Sequence, residues 1–287
     1  MKRMVLAGLV GCLSAALLSG CKPGRIVPLR VCLADGAWGG LQTAAAEARA
    51  ADTIVAASKI WWAADIAFLP LPDAVRISDP QPPGTSLDVP PYRALGKVGD
   101  VRIRDGFGYG SDEADALVTL CGRALQERFP GSSQPGFTVI FVRELISETG
   151  QFLAVSGVST ELRPLFSAAG PRLCQRPPSV TKADVLGRAS IIETVDAGKV
   201  RTVEEASVVL AHELGHDLLL GHGDGLDNDM EGPWDEFCDV ETEPPLALGL
   251  SGSQKPLMLD RVADGILISP LQIERAQASA AALMKVP

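Results

Sequence analysis

All three histidines of this 287-residue chain fall within eleven consecutive residues, His212-Glu213-Leu214-Gly215-His216-Asp217-Leu218-Leu219-Leu220-Gly221-His222. In an α-helix His212 and His216 stand one turn apart on one face, so both imidazoles can reach a single metal ion. Glu213, beside the first of them, is placed to act on a water held by such an ion. His222 adds a second constraint. On an unbroken helix it would lie roughly 120° off the shared face and about 9 Å further along the axis. A chain that uses all three rings must leave the helix and turn before His222. Leu219 can make that turn at a cost of roughly 1–2 kcal/mol for a left-handed backbone, or Gly221 can make it without steric penalty. A downstream carboxylate, Asp224, Asp227 or Glu231, is the rival third ligand.

The surrounding pattern supplies the helix. Thr202 and Glu205 form a capping-box signature, and the apolar run Ala206–Leu210 leads into His212. The motif therefore falls in the second half of a helix of about eighteen residues. Upstream, Ile26–Leu33 alternates like a strand, and Leu41–Ala64 reads as an alanine-rich helix with Trp61 and Trp62 near its end. Strand-like pieces over Ile66–Ile77 are broken by Pro70 and Pro72, and residues 78–100, rich in proline and glycine, read as a surface loop. Ser111–Phe129 reads as a helix stopped by Pro130-Gly131. Phe137–Val142, Phe152–Val158 and Ala189–Val195 read as strands, and Pro270 to about Lys285 as a terminal helix.

The chain opens with Lys2 and Arg3, followed by the apolar run Val5–Leu18, too short to span a bilayer comfortably. Residues 1–20 read as an export signal. Leu18-Ser19-Gly20-Cys21 resembles the bacterial lipobox, which implies cleavage before Cys21 and its lipidation. Residues 21–25 are then a short tether, and 26–287 the functional domain. The resemblance implies a lipid-anchored protein of the cell envelope; Lys22 favours the outer membrane, facing the periplasm or the cell surface, if the cell is Gram-negative. Cys32, Cys121, Cys174 and Cys238 remain, an even set that suggests two disulfides with three possible pairings in an exported chain. A formal net charge of -9 argues against a nucleic-acid partner.

The spacing H-E-x-x-H-x-x-x-x-x-H resembles the metzincin family of zinc endopeptidases, whose motif is H-E-x-x-H-x-x-G-x-x-H. His212, Glu213, His216 and His222 match, and Leu219 stands where the family has glycine. Metzincins also carry a tight methionine turn beneath the metal, and Pro256-Leu257-Met258-Leu259-Asp260 is similar to it. The resemblance implies an α+β fold: a twisted mixed sheet with two long helices above a C-terminal subdomain holding the Met258 turn and a terminal helix. The subdomains would be 26–222 and 223–287. It implies one catalytic Zn2+ held by His212, His216 and His222, with Glu213 as general base in peptide-bond hydrolysis. It implies a peptide or protein substrate that lies extended along an edge strand, for which Ala189–Val195 is the candidate. The alternatives are a zincin with a carboxylate as third ligand and a non-catalytic zinc-binding lipoprotein. The span between Cys21 and the first strand is too short to hold a removable pro-segment.

From Thr202 to Gln254 there is no lysine or arginine, against thirteen acidic residues. Asp227-x-Asp229-x-Glu231-Gly232 faintly resembles the start of a calcium loop, but its twelfth position is Cys238 rather than a bidentate glutamate. A solvated acidic loop is the simpler expectation. In either case the field near the histidines is negative and favours cationic substrate segments.

Overall fold

Arg25–Ala34 forms strand β1, and both of its faces are buried beyond its first residues. The computed structural model describes residues 23–71, 74–77, 100–102, 112–129, 136–146, 154–158, 188–196, 198–218, 220, 246–247, 253–256, 265–268 and 270–284. A strand covered on both faces belongs inside a largely parallel sheet with helices above and below. The chain runs from β1 through helix α1 (Thr43–Trp61) and a 3₁₀ turn to β2 (Ile66–Pro70), which pairs parallel with β1. β3 (Val75–Ile77) also pairs parallel with β1.

After β4 (Asp100–Arg102), helix α2 (Asp112–Arg128) leads to β5 (Phe137–Val142), parallel to β1 on its other side. β6 (Glu144–Ile146) pairs with β4 in a separate two-stranded ribbon. β7 (Ala154–Val158) and β8 (Arg188–Glu193) complete the main sheet in the order β2-β1-β5-β8-β7. Only β7 runs antiparallel in it, against β8. A hairpin of β9 (Val195–Asp196) and β10 (Lys199–Val200) precedes helix α3 (Val203–Asp217). Beyond it come a small sheet of β11 (Leu246–Ala247), β12 (Ser253–Pro256) and β13 (Gly265–Ile268), and helix α4 (Pro270–Met284).

The two-residue period of β1 sorts the core into layers. Val27, Leu29, Val31 and Leu33 face α1, α3 and α4 in one apolar cluster, whereas Cys32 and Ala34 face α2 in another. Small residues let the first layer close tightly. Ala46, Ala50 and Ala57 of α1 share a cluster with Ala206 and Ala211 of α3, and Ala276 and Ala280 of α4 join it. A disulfide joins Cys32 to Cys121 and fastens α2 to β1, which makes one of the three possible pairings concrete. Cys174 and Cys238 lie outside the described residues. The fold is α+β with a mixed sheet, as expected at this level, and parallel pairs dominate that sheet.

The strand order corrects one expectation. Ala189–Val195 does not form an edge, because β8 lies between β5 and β7. Ala189, Ile191 and Ile192 are buried and divide between the two apolar clusters, so this strand packs on both faces. The edge beside it belongs to β7. Among the described residues no helix is long and apolar enough to cross a membrane.

Candidate metal centre

Helix α3 starts where its sequence says it should. The Thr202 hydroxyl accepts the Glu205 amide at 3.1 Å, and the Glu205 carboxylate accepts the Thr202 amide at 2.7 Å, so two amide donors at the start of the helix are satisfied reciprocally. The Thr202 amide and Lys199 together hold the Glu205 carboxyl at about 2. From this start the helix carries Ala206, Val209, Leu210 and Leu214 into the core. That orientation fixes where the remaining faces point.

His212, Glu213 and His216 are all buried. The two imidazoles meet edge to face, with Nε2 of one 3.1 Å from Nε2 of the other. Two zinc–nitrogen bonds of about 2.0–2.1 Å at a near-tetrahedral angle place their nitrogens roughly 3.3–3.4 Å apart. The observed separation is a few tenths of an ångström shorter, so the pair fits one small cation with little adjustment. The tautomer also fits. Nδ1 of His216 lies 2.8 Å from the Leu220 carbonyl oxygen. A carbonyl only accepts, so Nδ1 carries the proton and, in the neutral ring, Nε2 keeps its lone pair, as a metal ligand requires.

The helix stops shortly after His216. Helix α3 ends at Asp217, with Leu218 as its cap. The Leu218 amide donates to the carbonyls of Leu214 and Gly215, and the Leu220 amide returns to the Gly215 carbonyl at 3.0 Å. This last contact is the six-residue closure of a Schellman-type helix end. The chain thus leaves the helical path by Leu218–Leu220, before Gly221. Leu219 itself lies outside the described residues.

Several polar groups that sequence reasoning did not identify hold this end. Arg188 Nη1 donates to the His216 carbonyl at 2.7 Å, and Ser190 Oγ donates to Asp217 Oδ2 at 2.6 Å, both from β8. From α4, Ser279 Oγ donates to the Leu218 carbonyl at 2.7 Å. Trp61 Nε1, at the end of α1, donates to the Ala211 carbonyl at 3.0 Å, directly before His212. The available signal was polarity out of place: Ser190 interrupts Ala-Ser-Ile-Ile, and Asp217 separates the motif from three leucines. Their partners could not be found that way, because the contacts span 27 to 150 residues of chain.

His222, Met258 and Cys21 lie outside the described residues, as do Asp224, Asp227, Asp229 and Glu231 of the rival-ligand and calcium expectations. Among the described residues no group of three or more His, Cys, Asp or Glu side chains is gathered around one point. The described centre is therefore the imidazole pair with Glu213 beside it. The chain matches no protein-family model and no curated protein.

Proposed function

We propose that the chain is an exported, lipid-anchored zinc endopeptidase of metzincin type. His212, His216 and His222 hold the ion, and Met258 forms the turn beneath it. The observation that carries this reading is the convergence of two buried imidazole Nε2 atoms at 3.1 Å, with the His216 ring proton committed through Nδ1 to a backbone carbonyl. Zinc bound there would act as a Lewis acid that acidifies a water and polarises a scissile carbonyl. Glu213 accepts the proton of the attacking water and delivers it to the leaving amine. Its burial shields that transfer from bulk water. The metzincin assignment also draws support from the mixed sheet, whose one antiparallel strand, β7, lies at an edge beside β8. An extended substrate would pair with β7, in place of the strand expected from sequence. Export and the lipid anchor rest on residues 1–21 and are consistent with the Cys32–Cys121 disulfide.

The test compares zinc content and proteolysis in the wild type and in Glu213→Gln. The expected result is about one zinc per chain in both, cleavage of unfolded protein substrates by the wild type, and a loss of at least about 10²-fold in the variant. Zinc in both proteins with no cleavage by the wild type of any substrate would leave only the binding lipoprotein. A peptide library cleaved with no preference for lysine or arginine near the scissile bond would remove the expectation of cationic substrates.

A further inference from the structure

We infer that Ser190 and Ser279 are positioning residues for the metal centre, gripping the last turn of α3 from the sheet and from the terminal helix so that His216 keeps its ring in place. The inference rests on the proposed zinc reading and adds to it a role for the sheet and the terminal helix. Helix ends fray, because their last carbonyls have no helical partners. His212 sits inside α3, whereas His216 is the penultimate helical residue. The second ligand therefore stands in the turn least able to hold itself.

Three side-chain contacts tie that turn down. On the strand side, Ser190 holds the Asp217 carboxylate and Arg188 holds the His216 carbonyl. On the helix side, Ser279 holds the Leu218 carbonyl, two residues before the carbonyl that His216 Nδ1 uses. Ser190, Ser279 and Asp217 have no solvent exposure at all. A displacement at 217 or 218 moves Leu220, and with it the acceptor that fixes the His216 tautomer and ring angle. Partners that orient a metal-bound imidazole at this remove typically change metal affinity by 10–100-fold.

The experiment measures the zinc dissociation constant of the full chain by chelator competition, alongside the melting temperature of the metal-free protein. Ser190→Ala and Ser279→Ala are expected to bind zinc 10–100-fold more weakly, and Ser190→Thr, which keeps a hydroxyl on a strand, to recover most of the loss. Ser58→Ala is the control. Its buried hydroxyl accepts the Phe68 amide at 2.9 Å and so joins α1 to β2, not to α3, and its loss should lower the melting temperature and leave zinc affinity within about twofold. If either serine variant melts lower but keeps wild-type zinc affinity, the proposed grip is wrong and that serine is merely structural. If the wild type itself does not retain zinc against the chelator, the zinc reading fails instead.

Discussion

The proton of His216 is assigned by a neighbour. A neutral ring whose Nδ1 donates to the Leu220 carbonyl leaves Nε2 unprotonated, the state in which it could bind a metal. A second buried charge network lies at the far end of β8. Glu193 Oε1 accepts Arg201 at 2.9 Å and its Oε2 accepts the Leu145 amide at 2.9 Å, while Asp196 approaches Arg201 at 3.4 Å. Burial pushes the Glu193 carboxyl above its usual range, and this outweighs the lowering by the Leu145 amide and by Arg201. The sign follows from proton linkage. Between the unfolded value and the raised folded one, the native state binds more protons, so this group's contribution to stability falls as pH rises through that window. Removing the carboxylate altogether is worse, because Arg201 and the Leu145 amide lose their buried partner. Glu193→Ala is expected to destabilise by about 3–5 kcal/mol, read as a shift in the urea midpoint.

Helix α3 shows which elements a sequence can announce. Its cap and its apolar stripe are local, and Thr202 with Glu205 foretold the start to the residue, although the helix is 15 residues long rather than the eighteen or so expected. Thr202→Ala should cost about 1 kcal/mol in chemical denaturation. Glu205 adds a pH signature. Its carboxyl is held at about 2 against an ordinary 4.5, so its support for the helix is complete above pH 4.5 and fades as pH falls towards 2. Glu205→Gln should flatten the acid limb of the stability profile across that interval. Strand order is the opposite case. Ala189–Val195 and Phe152–Val158 both read as strands, yet nothing local says which is the edge. Composition does not separate them either: β8 carries Arg188, Ser190 and Glu193 yet lies inside, whereas β7, with Ser156 as its one polar residue, lies at the edge. The anchors of α3 were illegible for the same reason, since Trp61 reaches Ala211 across 150 residues and Ser279 reaches Leu218 across 61.

At the scale of the whole molecule, the disulfide and the proposed zinc site fall on opposite faces of one sheet. The Cys32–Cys121 disulfide ties α2 to the face of β1 that looks away from α3, and it closes a segment with a sequence separation of 89. The chain-entropy argument gives about 4–5 kcal/mol for a loop of that length, and measured native disulfides give about 2–5. The imidazole pair lies in the layer on the other face, and zinc bound there would stabilise the native state by mass action, about 4 kcal/mol at a thousandfold excess over its dissociation constant. Sites separated by more than about 7–10 Å with no shared partner act additively, and a packed strand separates these two. Their losses should therefore add. The measurement is a four-cornered set of urea midpoints at fixed pH: wild type and Cys32→Ser/Cys121→Ser, each with zinc and with chelator. The cysteine variant should lose about 2–5 kcal/mol in either condition, and its zinc dissociation constant should match that of the wild type within about twofold. A coupling beyond about 0.5 kcal/mol would mean that the face opposite the histidines transmits strain through β1 to α3, and the layers could not then be treated as separate supports of the centre.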